Sequence, residues 1–155
     1  MKNKVSYIQV SGSEICCLRD MWLELNNYHI PVVTSFNSRF LNVSFEKHYQ
    51  NLIQYKNLFA YIAVLNRVKI GFVIVFGEGD IAEIDSIYVK DKYRRNGIGD
   101  TLMKYALKEL VGVYKEIVIR VAEGNIQSFH FRNHFKKRYT LFQYDYSDNV
   151  DETIP

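Results

Sequence analysis

The chain has little of what marks several common protein classes. Its only two cysteines, Cys16 and Cys17, are adjacent, so no disulfide framework is possible and we expect reduced thiols. No apolar run reaches membrane-spanning length, so no membrane partner is expected. The first ten residues lack the apolar core of a secretory signal, and we therefore expect a cytoplasmic protein. No spacing of His, Cys and Asp indicates a metal site.

Charge of one sign is also scarce, because the 155 residues carry a formal net charge of only +3. A nucleic-acid partner is therefore a minor alternative, resting on the short cluster Lys136, Lys137 and Arg138. Hydrophobic residues make up 48% of the chain and charged residues 24%, as in ordinary globular proteins. We expect one domain over residues 1–155. The 12 Tyr and 10 Phe predict a core or cleft lined by rings.

The hydrophobic pattern predicts a mixed sheet flanked by helices. Strands are expected at 5–10, 58–65, 68–76, 81–89, 116–121 and 138–146. Helices are expected from Ser11 to about Pro31, and at 45–55, 100–111 and 126–135. The strands between 58 and 89 predict an antiparallel meander, and strand, helix and strand over 81–121 predict a parallel pair. The expected fold is an α/β fold with a mostly antiparallel sheet of about six to seven strands and about four helices.

The most informative stretch is 81–111. It begins as an alternating strand, and it ends with Leu102, Met103, Ala106, Leu107 and Leu110 on one helical face. Between them lies a basic turn with two glycines. Free N–H groups, a helix dipole and glycine together predict an anion site.

Two familiar phosphate motifs do not match this turn. A P-loop requires Lys after its last glycine, but Asp100 and Thr101 follow Gly99. A dinucleotide fingerprint requires a third glycine where Leu102 stands. The segment from Arg94 to Gly99 instead resembles the R/Q-x-x-G-x-G/A turn of the GNAT superfamily of N-acetyltransferases. The order of elements resembles that family over nearly the whole chain.

The resemblance implies transfer of an acetyl group from acetyl-coenzyme A to a primary amine by direct attack on the thioester. The acceptor would be an amine-bearing small molecule or a peptide. The alternative is a weak or inactive acyl-coenzyme A-binding module of the same fold. The last strand could also pair between subunits, so a homodimer is compatible with the pattern.

The resemblance further implies where coenzyme A binds. Backbone N–H groups of 95–100 would hold the pyrophosphate, and the strand at 87–89 would hold the pantetheine arm. In the family this strand has a bulge and separates from its parallel neighbour. The expected cofactor-binding residues are Ile87, Tyr88, Val89, Arg94, Arg95, Asn96, Gly97, Ile98, Gly99, Asp100, Asn125 and Arg132.

A base must remove a proton from the attacking amine. Glu83 and Asp85 share one strand face, and Glu83 stands where some family members place the base. The family's usual acid is a Tyr seven residues after the Asn that matches Asn125, but Arg132 occupies that position and cannot donate a proton at physiological pH. Tyr139 is the substitute that we select, with Tyr88, His130 and His134 as alternatives.

Acceptor contacts are expected from the segment that covers the acceptor cleft in the family. We select Tyr28, His29 and Phe36. His29 would equally suit a cap at the C-terminus of the preceding helix. His48 is interpreted as a surface residue.

Overall fold

The computed structural model describes residues 3–32, 43–122 and 128–146. The strands in these ranges are β1 (Ser6–Ser11), β2 (Asn57–Leu65), β3 (Val68–Glu78), β4 (Ile81–Val89) and β5 (Glu116–Ile119). The α-helices are α1 (Arg19–Val32), α2 (Phe45–Leu52), α3 (Ile98–Leu110) and α4 (Ser128–Arg132). Two 3₁₀ segments, Gly12–Leu18 and Asp91–Tyr93, precede α1 and α3.

The five strands form one sheet in chain order from β1 to β5. Neighbours from β1 to β4 are antiparallel, and β4 pairs with β5 in parallel. A parallel pair needs a crossover, which α3 supplies. The predicted meander, parallel unit and mixed α/β class are thus confirmed.

Alternation along β3 divides the core into two layers. Phe72 and Ile74 pack with α1 and α2, whereas Val73 and Val75 pack with α3. The central strand is buried on both faces, which explains its nearly continuous apolar sequence. One face of α3 is also fully buried, through Leu102, Met103, Ala106 and Leu110. This helix therefore holds the turn before it against the sheet.

The segment after β1 differs from the prediction. Ser11 N–H donates to Glu14 Oε1 at 3.3 Å, as capping-box spacing predicts, but the first turns are 3₁₀ rather than α-helical. Ile15 and Leu18 are both fully buried. Residues three apart eclipse in a 3₁₀ helix, so this geometry directs both side chains into the core. The regular helix, α1, begins at Arg19.

The predicted last strand at 138–146 is wrong, and the described sheet has five strands rather than six to seven. Leu141 and Phe142 are adjacent, so strict alternation fails, and their side chains are exposed. Strand propensity does not stabilise a segment without a paired neighbour and a buried face. The predicted helices at 45–55 and 126–135 are shorter in the structure, as α2 and α4. Residues 126 and 127 lie outside the described ranges.

No helix in the described ranges is both long enough and apolar enough to cross a bilayer. Candidate acceptor residue Phe36 and candidate cofactor residue Asn125 lie outside these ranges. Residues 33–42, between α1 and α2, lie outside them as well.

We expect Phe72→Ala to lower the free energy of unfolding by about 3–5 kcal/mol, because it leaves a cavity where a fully buried ring stood. Phe142→Ala is the matched control at a ring that is 89% exposed, and it should change stability by less than about 0.5 kcal/mol. Urea unfolding followed by circular dichroism measures both. Equal losses would contradict the exposed position of Phe142.

Candidate active site

Strand β4 has one edge that is only partly paired. Its pairing with β5 covers Ile81 to Ile84, whereas its pairing with β3 continues to Val89. No described strand pairs with the outer edge from Asp85 to Val89. We call the point after Ile84, where β4 and β5 stop pairing, the fork. Backbone groups beyond the fork need partners, and an extended ligand could supply them as an added strand would.

A bulge lies at the fork. Ile74 pairs with Ser86 while Val75 pairs with Ile84, so Asp85 is an extra residue without a partner on β3. Ile84 and Ile87, three residues apart, both pack toward α3, as simple alternation would not allow. The bulge therefore resets which face each later side chain meets.

The helix that follows β4 begins with free donors. Gly97 caps α3 with φ of 74°, in the left-handed region that favours glycine. Thr101 N–H donates to Gly97 O at 3.0 Å, and no described group accepts from the N–H groups of Ile98, Gly99 and Asp100. A Cβ added at Gly99 would lie 3.4 Å from the Phe129 ring. The helix dipole and these donors favour an anion here.

Arg94 is directed toward the protein rather than toward solvent. Its Nε donates to Val89 O at 2.8 Å, and its guanidinium lies 4.7 Å from the Tyr28 ring centre and 5.5 Å from that of Tyr88. Arg94 therefore joins the turn to β4 and to α1. Asn96 shapes the same turn, because its Nδ2 donates to the carbonyls of Tyr93 and Arg94. Arg95 is exposed, with φ of 64°.

Asp100 and Arg132 form a tether between α3 and α4. Asp100 Oδ1 accepts from Asn133 Nδ2 at 2.9 Å and from Arg132 Nε at 3.1 Å. The hydrogen bond from Asn133, followed by the bond and charge of Arg132, lowers the pKa of Asp100 despite its partial burial. The carboxylate thus faces α4, and Arg132, which the sequence placed on the cofactor, is engaged with it.

The three candidate catalytic residues fall into two groups. Glu83 Oε1 accepts from Arg120 Nε at 2.9 Å, and Tyr139 lies beside the same guanidinium. The charge of Glu83 is the main cause of the raised pKa of Arg120. Asp85 instead contacts α2, where His48 Nε2 lies 3.0 Å from Asp85 Oδ2.

Glu83 and Asp85 nevertheless share one face of the sheet. Glu83 is opposite Phe76, which packs on the α1 and α2 side, and Asp85 contacts α2 on that same side. The sequence predicts this shared face but not the separate partners. His48 is half-buried rather than the surface residue that was expected. Its contact with Asp85 was missed because nothing in the sequence relates residues 37 positions apart.

Tyr28 and His29 lie in the last turns of α1. Tyr28 lies against Arg94, and burial lowers the pKa of His29. Sequence reasoning missed Glu24, which accepts from Tyr88 Oη at 3.1 Å and lies 3.5 Å from Lys90 Nζ. Glu24 and Tyr28 are four residues apart and therefore lie on one face of α1, so this spacing could have associated Glu24 with the candidate acceptor residue Tyr28. No group of three potential metal ligands occurs among the described residues.

Two features together are typical of an acetyltransferase α/β fold. The parallel strands of a mixed sheet separate at a bulge, and a helix beside them begins with unused N–H groups. The chain belongs to the acetyltransferase (GNAT) family, whose model matches residues 30–135. This confirms the family resemblance drawn from the sequence. No curated protein sequence matches the chain.

Solved structures share the fold. A proposed acetyl transferase from Pyrococcus furiosus is 21% identical, with a TM-score of 0.72 over 90% of this chain and 99% of its own. Aminoglycoside N-acetyltransferase AAC(6')-Iy in complex with CoA is 15% identical, with a TM-score of 0.61 over 94% and 96%. Ribosomal-protein-alanine N-acetyltransferase from Brucella melitensis biovar Abortus 2308 is 13% identical, with a TM-score of 0.64 over 92% and 99%. These identities establish the fold alone.

Asp100→Asn should test the tether through its pH dependence. A lowered folded-state pKa means that the carboxylate stabilises the fold above the unfolded pKa of about 3.9, and that this stability is lost as pH falls through the folded pKa. At pH 7 we expect a loss of about 0.5–1 kcal/mol, kept small by solvent screening.

Urea unfolding at pH 7 and near pH 3 measures the difference from the parent protein. Asp91→Asn is the matched control, since the side chain of Asp91 is 95% exposed and lies 3.5 Å from Arg94. A loss for Asp100→Asn that is equally large at both pH values would contradict a role for the charge.

Proposed function

We propose that the protein transfers an acetyl group from acetyl-coenzyme A to a primary amine. The observation that supports this most strongly is the strand edge without a neighbouring strand, on which Arg94 occupies Val89 O, close to unused helix N–H groups. This edge is the outer edge of β4 beyond the fork, and it leads to the free N–H groups at the start of α3. An edge that accepts an extended amide-containing arm, next to a site for phosphate, suits coenzyme A.

The residues present fit this co-substrate. The edge at 87–89 would hold the pantetheine arm, and the N–H groups of 95–100 would hold the pyrophosphate. Gly99 leaves room for a close approach beside Phe129. Arg95 would supply charge to the phosphates, while Arg94 would hold the turn in place through Val89. When bound, acetyl-coenzyme A supplies a thioester carbonyl that an amine can attack.

The proposed acceptor region lies on the α1 and α2 side of β4. Tyr28 supplies a half-buried ring there, backed by the buried rings of Trp22 and Tyr88, and Glu24 supplies an exposed carboxylate. Such a surface suits a cationic amine. Structures with this fold are named for aminoglycoside and for ribosomal-protein-alanine acetylation, so both small and peptide amines belong in a test panel.

A catalytically weak acyl-coenzyme A-binding module is the second candidate. It is favoured by Arg132, which stands where the family's usual acid Tyr would be and is paired with Asp100. Tyr139 remains our proposed substitute acid, through its position beside Arg120, which is bonded to Glu83.

Two measurements on the full chain separate these functions. Titration calorimetry measures coenzyme A binding, and a thiol reagent measures coenzyme A release from acetyl-coenzyme A over a panel of small amines, amino sugars, polyamines and peptides. We expect amine-dependent thiol release and a product heavier by one acetyl group in mass spectrometry. Binding without release over the panel would favour the second candidate, and absence of binding would refute both.

Arg95→Ala should weaken coenzyme A binding about two- to fivefold, because a partly screened charge on phosphate contributes up to about 1 kcal/mol. The loss should shrink in high salt. Lys108→Ala, which removes an exposed charge from the last turn of α3, the helix that follows Arg95, should leave the affinity unchanged. Calorimetry at low and high salt measures both, and equal effects of the two substitutions would contradict a phosphate contact by Arg95.

A further inference from the structure

A histidine and a carboxylate form a close pair at the fork. His48 Nε2 of α2 lies 3.0 Å from Asp85 Oδ2, and Ser86 Oγ donates to the same oxygen at 3.1 Å. The Asp85 side chain is 12% exposed and that of His48 is 26% exposed. The pair is therefore partly sheltered but still reachable from solvent.

The chemistry of the pair determines which nitrogen is free. An ionised carboxylate can only accept hydrogen bonds, so the neutral imidazole carries its proton on Nε2. Nδ1 then has a lone pair, and no described group donates to it. An imidazole with one nitrogen on a carboxylate and the other unused is the arrangement of a general base.

The surroundings hold the ring in place. The indole of Trp22 on α1 stacks on the imidazole, with ring centres 5.1 Å apart and planes 24° apart. An indole face also stabilises a ring that becomes cationic. The bulge directs Asp85 to this side, immediately after the last residue of β4 that pairs with β5.

We propose that His48 is the general base of the reaction and that Asp85 is the positioning residue that orients it. This rests on the proposed acetyltransferase function. Glu83, the carboxylate selected from the sequence, is bonded to Arg120, whereas His48 has an unused acceptor nitrogen. The proposed proton acceptor is therefore His48 on α2 rather than Glu83 on β4.

The step balances in atoms and charge. A nitrogen–carbon bond forms, and the carbon–sulfur bond breaks with its electron pair left on sulfur. The amine nitrogen loses one proton to Nδ1 of His48, and the Asp85 carboxylate stabilises the imidazolium. Tyr139, the proposed acid, gives one proton to sulfur, and the proton held by His48 restores Tyr139 through water, so the protein ends unchanged.

Variants of the pair test the assignment. His48→Gln should lower kcat/KM for thiol release by about 10²–10⁴-fold, with the coenzyme A affinity unchanged. Asp85→Asn should lower kcat/KM by about tenfold or more, because the amide no longer fixes the tautomer of His48. Added imidazole should raise the rate of His48→Ala by about tenfold or more, since a free base can replace the missing one. Lys47→Gln is the matched control on the same helix, at an exposed neighbour, and should retain full activity.

Nuclear magnetic resonance provides a test without substrate. Long-range nitrogen–proton spectra of the free protein, with His48 assigned through His48→Gln, should show the Nε2-protonated tautomer. That preference should weaken in Asp85→Asn. A neutral ring protonated on Nδ1 would overturn the proposal.

Kinetic outcomes separate this proposal from the proposed function. If the parent protein releases no thiol with any amine, the acetyltransferase function fails, and the assignment fails with it. If the parent is active and His48→Gln keeps its turnover, only the assignment fails. A loss in Glu83→Gln with none in His48→Gln would make Glu83 the base. An inactive His48→Ala that folds, binds coenzyme A and gains nothing from imidazole would give His48 a structural role.

Discussion

The constraint on which the site depends is that β4 is paired along its full length on one side and only in its first half on the other. Backbone N–H and C=O groups are obligatory hydrogen-bonding groups, so a half-paired strand inside a sheet has unsatisfied capacity at one place. Here that place begins at Asp85 and ends next to the first turn of α3. Both parts of the proposed coenzyme A site are therefore backbone features, and the side chains around them mainly hold the two parts in register.

Two sets of contacts provide that support. Arg94 joins the turn to β4 through Val89 and to α1 through the face of Tyr28. Asp100 joins the first turn of α3 to α4. The charged groups in these contacts are the guanidinium of Arg94 and the carboxylate of Asp100. The family motif alone would place Arg94 on the ligand and would give Asp100 no role. Because the guanidinium of Arg94 is bonded to a carbonyl and lies on two rings, its exchange for Lys would lose both the fixed geometry and the stacking.

The sequence is most informative where one segment decides its own structure. The strand character of Ile81–Val89, the glycines of the turn and the apolar face of α3 are local, and the structure has each of them. The bulge interrupts only the alternation of the strand. Predictions failed where an outcome depends on a partner distant in sequence. A strand at 138–146 needs a neighbouring edge, and the contact between His48 and Asp85 needs two packed elements. The bulge at Asp85 follows from the register of β3 against β4, which no property of either strand alone reveals.

That single extra residue also explains why two carboxylates on one face have different chemistry. Glu83 precedes the bulge and lies where β5 is still paired, so its partner comes from Arg120, just after the end of β5. Asp85 is the bulged residue, no longer has β5 beside it, and turns to α2. A guanidinium on Glu83 is always charged and cannot pass on a proton, whereas a neutral imidazole on Asp85 has a second nitrogen that can accept one. The bulge therefore does two things at one position: it ends the pairing that would close the groove, and it directs a carboxylate to His48 of α2.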